Sequence, residues 1–182
     1  MTRDRIVEAG AALARQRSMW DWDEITVGAV ADRANVNRRT VYRHFANERE
    51  LRDAVMQRLT EEAGVNFESM DFKDVPEMAA KVFRYVIASP LEPWKDRDEA
   101  YHAAERRRRD ALLAAVRSSS SESNPADPRV VAGLIDLLWG VASLEHLVST
   151  WGIEAPDAIN ALLWLMGVLQ KAIGDGQAIE PT

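Results

Sequence analysis

Apolar residues recur at helical spacing through the first third of the chain, and this pattern predicts four helices. The first occupies about residues 2–17, and two short helices follow, one capped by Thr26 and one capped by Asn37. A fourth helix starts at Asn47. Thr and Asn side chains accept hydrogen bonds from the free N–H groups at helix starts, and apolar repeats every three to four residues mark one buried face. The segment 26–51 is therefore predicted to form two short helices, a turn and the start of a longer helix.

The turn between the two short helices is placed at Asn35, because Asn is the usual substitute for Gly in left-handed conformation. In the next helix Val41 and Phe45 face inward, and Arg39 points away from them because successive residues turn by about 100°. Residues 37–45 hold three arginines and no acid. A short helix that presents arginines and hydroxyls outward fits the major groove of DNA, which indicates a helix-turn-helix.

The spacing of eight residues adds a family resemblance to this interpretation. They are Thr26, Ala31, Val36, Thr40, Tyr42, His44, Phe45 and Leu51. At these positions the chain resembles the DNA-binding domain of TetR-type (tetracycline-repressor-like) transcriptional regulators. The resemblance implies phosphate contacts by Thr26, Thr40, Tyr42 and His44, and base-edge contacts by Asn37, Arg38, Arg39 and Tyr42. Arg43 and Arg49 complete the expected DNA-binding residues, with Arg49 as the replacement for a lysine where this chain has Glu48.

Helical periodicity continues to the end of the chain and predicts an all-α protein. Further helices are expected over about 47–64, 76–90, 94–116, 127–150 and 156–173. The last two are apolar almost all round, whereas a helix on the outside of a monomer needs an apolar stripe of little more than about 100°. They are therefore predicted to form a four-helix bundle with a second copy, as the family resemblance also implies. The expected homodimer interface consists of Leu137, Leu144, Val148, Leu162, Leu165 and Leu169.

The charge distribution separates the two ends of the chain. The net charge is −6, yet residues 1–58 hold 11 Lys and Arg against 9 Asp and Glu. The remainder holds 12 against 20. A mildly basic N-terminal part, called the head below, followed by an acidic remainder, called the body, is consistent with DNA binding at one end. We therefore predict an N-terminal three-helix DNA-binding domain over 1–50, with its motif at about 26–45, and a C-terminal helical ligand-binding and dimerisation domain over 51–182.

Motifs for catalysis, metal binding and export are missing from the sequence. There is no cysteine, no Gly-rich phosphate loop, no Cys/His metal spacing and no Gly-x-Ser-x-Gly elbow. The start of the chain is polar, and no apolar run reaches the roughly 20 uninterrupted residues of a membrane span. We expect no enzyme activity, no cofactor, no metal and no membrane partner, and a location in the cytoplasm.

Aromatic and polar residues on the body helices are the candidates for a small-molecule site. They are Tyr85, Trp94, Tyr101, Arg108, Trp139 and His146. Arg108 continues an apolar line of its helix, so three interpretations stand: a snorkelling side chain, a partner for an acidic ligand, or a partner for a buried carboxylate. Ordinary core packing is an alternative for each of the six.

The sequence favours a TetR-like regulator that binds a palindromic double-stranded DNA operator and acts as a repressor released by a small-molecule effector. A transcriptional activator and a ligand-independent regulator are alternatives. A further alternative is a helical interaction protein that has lost DNA binding, and Glu48 is the feature that favours it.

Overall fold

A computed structural model of the chain describes residues 2–16, 22, 24–88, 99–119 and 127–175. Every regular element in these ranges is a helix or a helical turn, which confirms the predicted all-α class. Contacts divide the chain into two compact units. Unit 1 comprises Met1–Gly64 and Ala88–Arg106, and unit 2 comprises Val65–Ile87 and Arg107–Thr182.

Unit 1 contains the predicted two short helices and the longer helices that support them. They are α1 (Thr2–Ala14), α2 (Val27–Arg33), α3 (Arg38–Tyr42) and α4 (Glu48–Glu62). Helix α1 packs along α4 and α2, and α2 packs on α3. The inward faces meet in a fully buried core of Ile6, Val30, Val41, Phe45, Leu51 and Val55. Because α4 packs against α1, the compact unit extends to Gly64, and the functional division at residue 50 stays a prediction.

The three predicted N-caps of unit 1 are confirmed. Thr26 Oγ1 accepts a hydrogen bond from the Ala29 N–H at 3.1 Å. Asn37 Oδ1 accepts from the Thr40 N–H at 2.7 Å, and Asn47 Oδ1 accepts from the Glu50 N–H at 2.9 Å. Each cap satisfies a backbone donor that has no partner within its own helix, so the sequence fixes where α2, α3 and α4 begin.

The turn between α2 and α3 has the left-handed residue that was predicted. Asn35 has φ of 52°. The Val36 N–H donates to the Ala31 carbonyl at 2.9 Å, and the Asn35 N–H donates to the Asp32 carbonyl at 3.1 Å. These two bonds form a Schellman motif, which ends a helix and satisfies its last carbonyls. The chain therefore leaves α2 at a defined angle and enters α3 after four residues, 34–37.

Unit 2 is built from the remaining helices. They are α5 (Val75–Val86), α6 (Glu99–Ser119), α7 (Pro128–Trp139), α8 (Val141–Glu145) and α9 (Ala155–Gly174). Of α6, only the part from Arg107 onward belongs to unit 2. Two short 3-10 turns, Phe67–Ser69 and Phe72–Asp74, precede α5 in the predicted connection. Helix α9 packs on α5, α7 and α8. The buried centre consists of Phe83, Leu112, Ile135, Trp139, Leu144 and Met166.

The prediction of one continuous helix over 127–150 is wrong. Gly140 is extended, with φ of −62° and ψ of 132°, and it ends α7 and begins α8. The segment continues as a π-helical turn over His146–Thr150. The two segments on either side of Gly140, Pro128–Trp139 and Val141–Thr150, are bent by 48° relative to each other.

In the part of the chain that the structure describes, no single helix is long and apolar enough to cross a membrane. These two bent segments taken together pass that test of length and composition.

Candidate functional site

Helix α3 presents an arginine-rich surface on a buried apolar base. Val41 and Phe45 are buried at 0% and 1% exposure, and they hold the helix on the core of unit 1. Tyr42 is 55% exposed although it is a large hydrophobic residue. The other outward residues on or directly beside α3 are exposed as well, namely Arg38, Arg39 and Arg43. This surface has the donors that phosphate oxygens and guanine edges accept.

Two predicted DNA-contact residues share a hydrogen bond at the start of α3. The Thr40 hydroxyl donates to Asn37 Oδ1 at 2.9 Å, in addition to the capping bond from the Thr40 backbone. The Asn37 oxygen is thus occupied, whereas its amide N–H groups are donors that these bonds do not use. A base contact by Asn37 would use those N–H groups, and this contact stays a prediction.

Arg38 lies against the start of α2 at a residue without a side chain. A Cβ atom added at Gly28 would lie 2.8 Å from Arg38 Nη2 and 3.2 Å from Arg38 Cζ. Gly28 therefore leaves room for the guanidinium beside the α2 backbone. Sequence reasoning missed this role of Gly28, because the packing partner belongs to the next helix and no local pattern indicates it.

The Glu48 carboxylate has two partners within unit 1. Its Oε2 accepts a hydrogen bond from the Val27 backbone N–H at 3.0 Å. Its Oε1 pairs with Arg52 Nη2 at 3.0 Å, and Arg52 Nε donates to the Ile25 carbonyl at 3.0 Å. The i,i+4 spacing of Glu48 and Arg52 was visible in the sequence. The contact with Val27 was not, because it depends on how α4 packs against α2.

Two further predicted DNA contacts, Arg49 and His44, differ in exposure. Arg49 has a 63% exposed side chain and lies 3.7 Å from Glu99. Glu99 also pairs with Arg106 at 2.7 Å, and this hydrogen bond is the main reason that the pKa of Glu99 is lowered. His44 is half-buried, and its Nε2 atom has no hydrogen-bond partner among the described residues. Because Nε2 is also buried, a phosphate contact by His44 would have to use Nδ1.

The predicted ligand residue Arg108 has a carboxylate partner in unit 2. Its side chain is 9% exposed, and its Nη2 and Nε lie 2.8 Å and 3.1 Å from Asp136 Oδ1. The Arg108 guanidinium also lies 5.7 Å from the ring centre of Trp139. Phe67 packs edge-on against the same indole at 6.2 Å. Of the three interpretations of Arg108, the geometry matches the pairing with a carboxylate of the protein itself.

Trp139 combines deep burial with an unused donor. The side chain is 0% exposed, and its Nε1–H has no acceptor among the described residues. A buried indole N–H usually has a partner. This donor and the adjacent Arg108 guanidinium form a buried, donor-rich corner of unit 2.

The other predicted ligand residues have different environments. Trp94 lies outside the described residues. Tyr85 is half-buried on α5, and Tyr101 is buried but belongs to unit 1. His146 is exposed on the π-helical turn, where its Nε2 accepts a hydrogen bond from Trp151 Nε1 at 3.2 Å. The expectation that His146 lines an interior site is corrected, since the break at Gly140 moves this turn out of the α7 axis.

The predicted dimer residues fall into two groups. Leu144 and Leu162 are 0% and 5% exposed within a single chain, so their assignment to the interface is corrected: both belong to the core of unit 2. Val148 and Leu169 are half-buried. Leu137 and Leu165 are exposed, together with a set of large apolar neighbours on α7, α9 and the turn between them, namely Val130, Leu134, Trp151, Trp164 and Val168.

No group of three or more His, Asp or Glu side chains suited to a metal ion occurs among the residues described.

Comparison with known proteins bears on the surface of α3. Residues 6–55 match the family model of the bacterial regulatory proteins of the tetR family. This match includes α2, α3 and the first half of α4, so this part of the chain is similar to the tetR family.

Solved structures share the fold over nearly the whole chain. A TetR-family regulator from Streptomyces coelicolor is 19% identical, with a TM-score of 0.56 and 95% of this chain and 99% of that chain covered. A TetR regulator from Rhodococcus sp. RHA1 is 21% identical, with a TM-score of 0.54 and 92% and 95% covered. A putative TetR-family regulator from Vibrio parahaemolyticus is 17% identical, with a TM-score of 0.52 and 91% and 96% covered. No curated protein matches the sequence.

Proposed function

We propose that this protein is a TetR-family regulator that represses transcription by binding a palindromic DNA operator and that a small-molecule effector releases it. The observation that supports DNA binding is the surface of α3, where Arg38, Arg39 and Tyr42 are exposed on a helix fixed by the Asn37 cap. Arginine is the most frequent residue in specific contacts with guanine, and a tyrosine hydroxyl donates to phosphate. The cytoplasm, where the chromosome lies, is the proposed location.

The environment of Glu48 weighs against the alternative that the head has lost DNA binding. A free carboxylate at this position would repel phosphates. In the structure its charge is paired with Arg52, and one oxygen is bound by the Val27 N–H. The carboxylate thus has a structural role at the start of α2, and the arginines of α3 remain the dominant charges on the exposed surface.

A homodimer is proposed because one copy leaves a broad apolar surface exposed. Leu137 is 65% exposed, Trp151 70% and Trp164 70%. Large contiguous apolar surfaces on a soluble chain mark interaction sites, and aromatic residues dominate the binding energy of such interfaces. A second copy related by a two-fold axis would cover this surface and give two α3 helices, and this is why we propose a palindromic operator.

The effector is proposed to bind inside unit 2 beside Trp139 and Arg108. The buried Trp139 N–H lacks a described acceptor, and the adjacent guanidinium already balances Asp136. An apolar molecule with one hydrogen-bond acceptor would satisfy the indole and pack on its ring. The effector can release DNA only if it binds the two conformations of the protein with different affinities.

The decisive experiment measures binding of the purified protein to the DNA that flanks its own gene, by gel shift and fluorescence anisotropy. The proposal predicts specific binding that competitor DNA of unrelated sequence does not remove. Arg39→Ala should weaken this binding and reduce the preference for the specific fragment, whereas Arg117→Ala, which removes an exposed arginine of α6, should change neither. Absence of specific binding to any flanking fragment would contradict the proposal and favour the interaction protein.

A reporter fused to the bound promoter separates the remaining alternatives. Repression predicts that deletion of the gene raises reporter expression, and activation predicts that it lowers expression. Release by an effector is tested by adding compounds that stabilise the protein against thermal unfolding. Compounds that stabilise the protein and leave operator affinity unchanged would favour a ligand-independent regulator.

A further inference from the structure

A groove separate from the Trp139 indole runs between α6 and α7 on unit 2, with a volume of about 180 Å³. Its apolar lining consists of Leu112 and Leu113 from α6 and Ala132 and Gly133 from α7. Gly133 widens the groove, since a Cβ added there would meet no atom within 4 Å. The groove is below the roughly 300 Å³ at which drug-sized ligands begin to fit, so it suits a single ring or a short chain.

The charged residues of this groove leave it with an excess of positive charge. Arg109, Arg129 and Asp136 line it. Asp136 is already paired with the buried Arg108 at 2.8 Å. Neither the Arg109 nor the Arg129 side chain has an ion-pair or hydrogen-bond partner among residues 2–16, 22, 24–88, 99–119 and 127–175. Arg109 from α6 and Arg129 from α7 therefore border an apolar surface. The negative charge of Asp136 is already balanced by the buried Arg108.

We propose that this groove binds a small monocarboxylic acid, with the carboxylate on Arg109 and Arg129 and an apolar body over Leu112 and Gly133. A planar guanidinium bonds a carboxylate through two parallel N–H groups. The apolar lining stabilises a hydrocarbon body by burial. A cation would meet two like charges, and a phosphate ester would place a second negative charge near Asp136 with little hydrocarbon to bury.

The groove and the exposed apolar surface lie on different sides of α7. Successive residues turn by about 100°, which places Arg129, Gly133 and Asp136 roughly 100° away from Val130, Leu134 and Leu137. A second copy seated on Val130, Leu134 and Leu137 would not cover Arg129 or Asp136. The proposed site therefore does not depend on the oligomeric state.

The test uses the full chain, with benzoate as the probe and benzyl alcohol as its neutral counterpart, by isothermal titration calorimetry without DNA. Benzoate is expected to bind with one site per chain, and benzyl alcohol to bind at least about tenfold more weakly, because a charge-assisted hydrogen bond contributes that much. Arg109→Ala and Arg129→Ala should each weaken benzoate about tenfold. Arg107→Ala, which removes a neighbouring exposed arginine that does not line the groove, should leave affinity unchanged.

Gly133→Leu provides a variant that keeps both arginines. Leucine is a good helix former, and its side chain would fill the groove, so benzoate binding should be lost while circular dichroism remains that of the wild type. The inference is overturned if benzoate does not bind at millimolar concentration, or if benzyl alcohol binds equally well. It is also overturned if Arg107→Ala weakens binding as much as Arg109→Ala, or if folded Gly133→Leu protein still binds benzoate.

Discussion

The carboxylate of Glu48, at the start of α4, accepts a hydrogen bond from the backbone N–H of Val27, at the start of α2, at 3.0 Å. The first N–H groups of a helix have no partners within the helix and carry partial positive charge. Glu48 supplies an acceptor and a negative charge there. Together with the bond from Arg52 to the Ile25 carbonyl, it ties the start of α4 to the start of α2.

This relationship predicts that Glu48 stabilises the head. Glu48→Ala should lower the free energy of unfolding by about 1 kcal/mol, as loss of a capping side chain does. Glu48→Gln should cost less, because the amide oxygen still accepts from Val27 while the ion pair is lost. Urea unfolding followed by circular dichroism measures both. Glu61→Ala, an exposed residue of α4 without a described partner, is the control and should change little.

The caps and the turn of the head could be predicted from sequence because each depends on residues a few positions apart. Asn35 has the left-handed conformation, and Thr26, Asn37 and Asn47 all cap as predicted. The Glu50 carboxylate also accepts a hydrogen bond from the Ala46 N–H at 2.7 Å, just before α4. The role of Glu48 depends on a contact between residues 21 positions apart, which no local pattern contains.

The arginine surface of α3 predicts how operator recognition divides among residues. Arg39→Ala should weaken operator binding by about 1–3 kcal/mol and reduce the preference for the operator over mutated sequences. Removal of a phosphate contact, as proposed for His44→Ala, should weaken all sequences evenly. Fluorescence anisotropy against the operator and its single-base variants separates the two patterns. An Arg39→Ala protein with unchanged affinity and preference would show that α3 does not enter the major groove as proposed.

Two helical glycines predict opposite effects of the same substitution. A Cβ at Gly10 would collide with Val55 Cγ2, where α1 packs on α4. A Cβ at Gly133, in α7, would meet nothing within 4 Å. Gly10→Ala should therefore destabilise by about 1–3 kcal/mol through overpacking, whereas Gly133→Ala should stabilise by up to about 1 kcal/mol through helix propensity. Thermal unfolding of the two variants beside the wild type provides the comparison, and a stabilised Gly10→Ala protein would contradict the packing of α1 on α4.

An ion-pair network between α1 and α4 predicts loss of stability in acid. Arg15 donates to Glu8 at 2.9 Å and also binds Glu62, and Arg58 lies 3.3 Å from Glu8. The hydrogen bond from Arg15 is the largest cause of the lowered pKa of Glu8, and the weaker effect of burial opposes it.

Because the folded pKa of Glu8 lies below the ordinary value of 4.5, its contribution is present above pH 4.5 and is lost as the pH falls through the folded pKa. Glu8→Gln should therefore have a lower urea midpoint than the wild type at pH 7, and the difference should shrink below pH 4.5. Glu61→Gln serves as the control without a described ion pair. A difference that stays constant down to pH 3 would exclude this network as its source.

The bend at Gly140 shows where the hydrophobic pattern of unit 2 was insufficient. Apolar periodicity continues from residue 128 to 150, and a glycine inside a helix costs only about 1 kcal/mol, so a break was not indicated. In the structure the Ser143 hydroxyl donates to the Leu137 carbonyl across the break, which replaces a helical bond there. The bend redirects α8, so that Leu144 packs into the core of its own chain and not toward a second copy.

Replacing leucine by glutamate in unit 2 should therefore affect assembly where the leucine is exposed and folding where the leucine is buried. Leu137→Glu combined with Leu165→Glu places two carboxylates on the proposed interface, where both side chains are exposed in a single chain. The double variant should stay folded and sediment as a monomer, with operator affinity reduced because a monomer holds one half-site at a time. Leu144→Glu buries an unpaired carboxylate in the core, and it should unfold or aggregate.

Analytical ultracentrifugation together with circular dichroism distinguishes these outcomes, since the first change affects assembly and the second affects folding. If the double variant stays dimeric and binds the operator as the wild type does, the surface around Leu137 and Leu165 is not the interface. If the wild type is a monomer at micromolar concentration, the homodimer and the palindromic operator are both excluded. A folded, dimeric Leu144→Glu protein would instead contradict the burial of Leu144 at 0% exposure, and with it the bend at Gly140 that brings this side chain into the core.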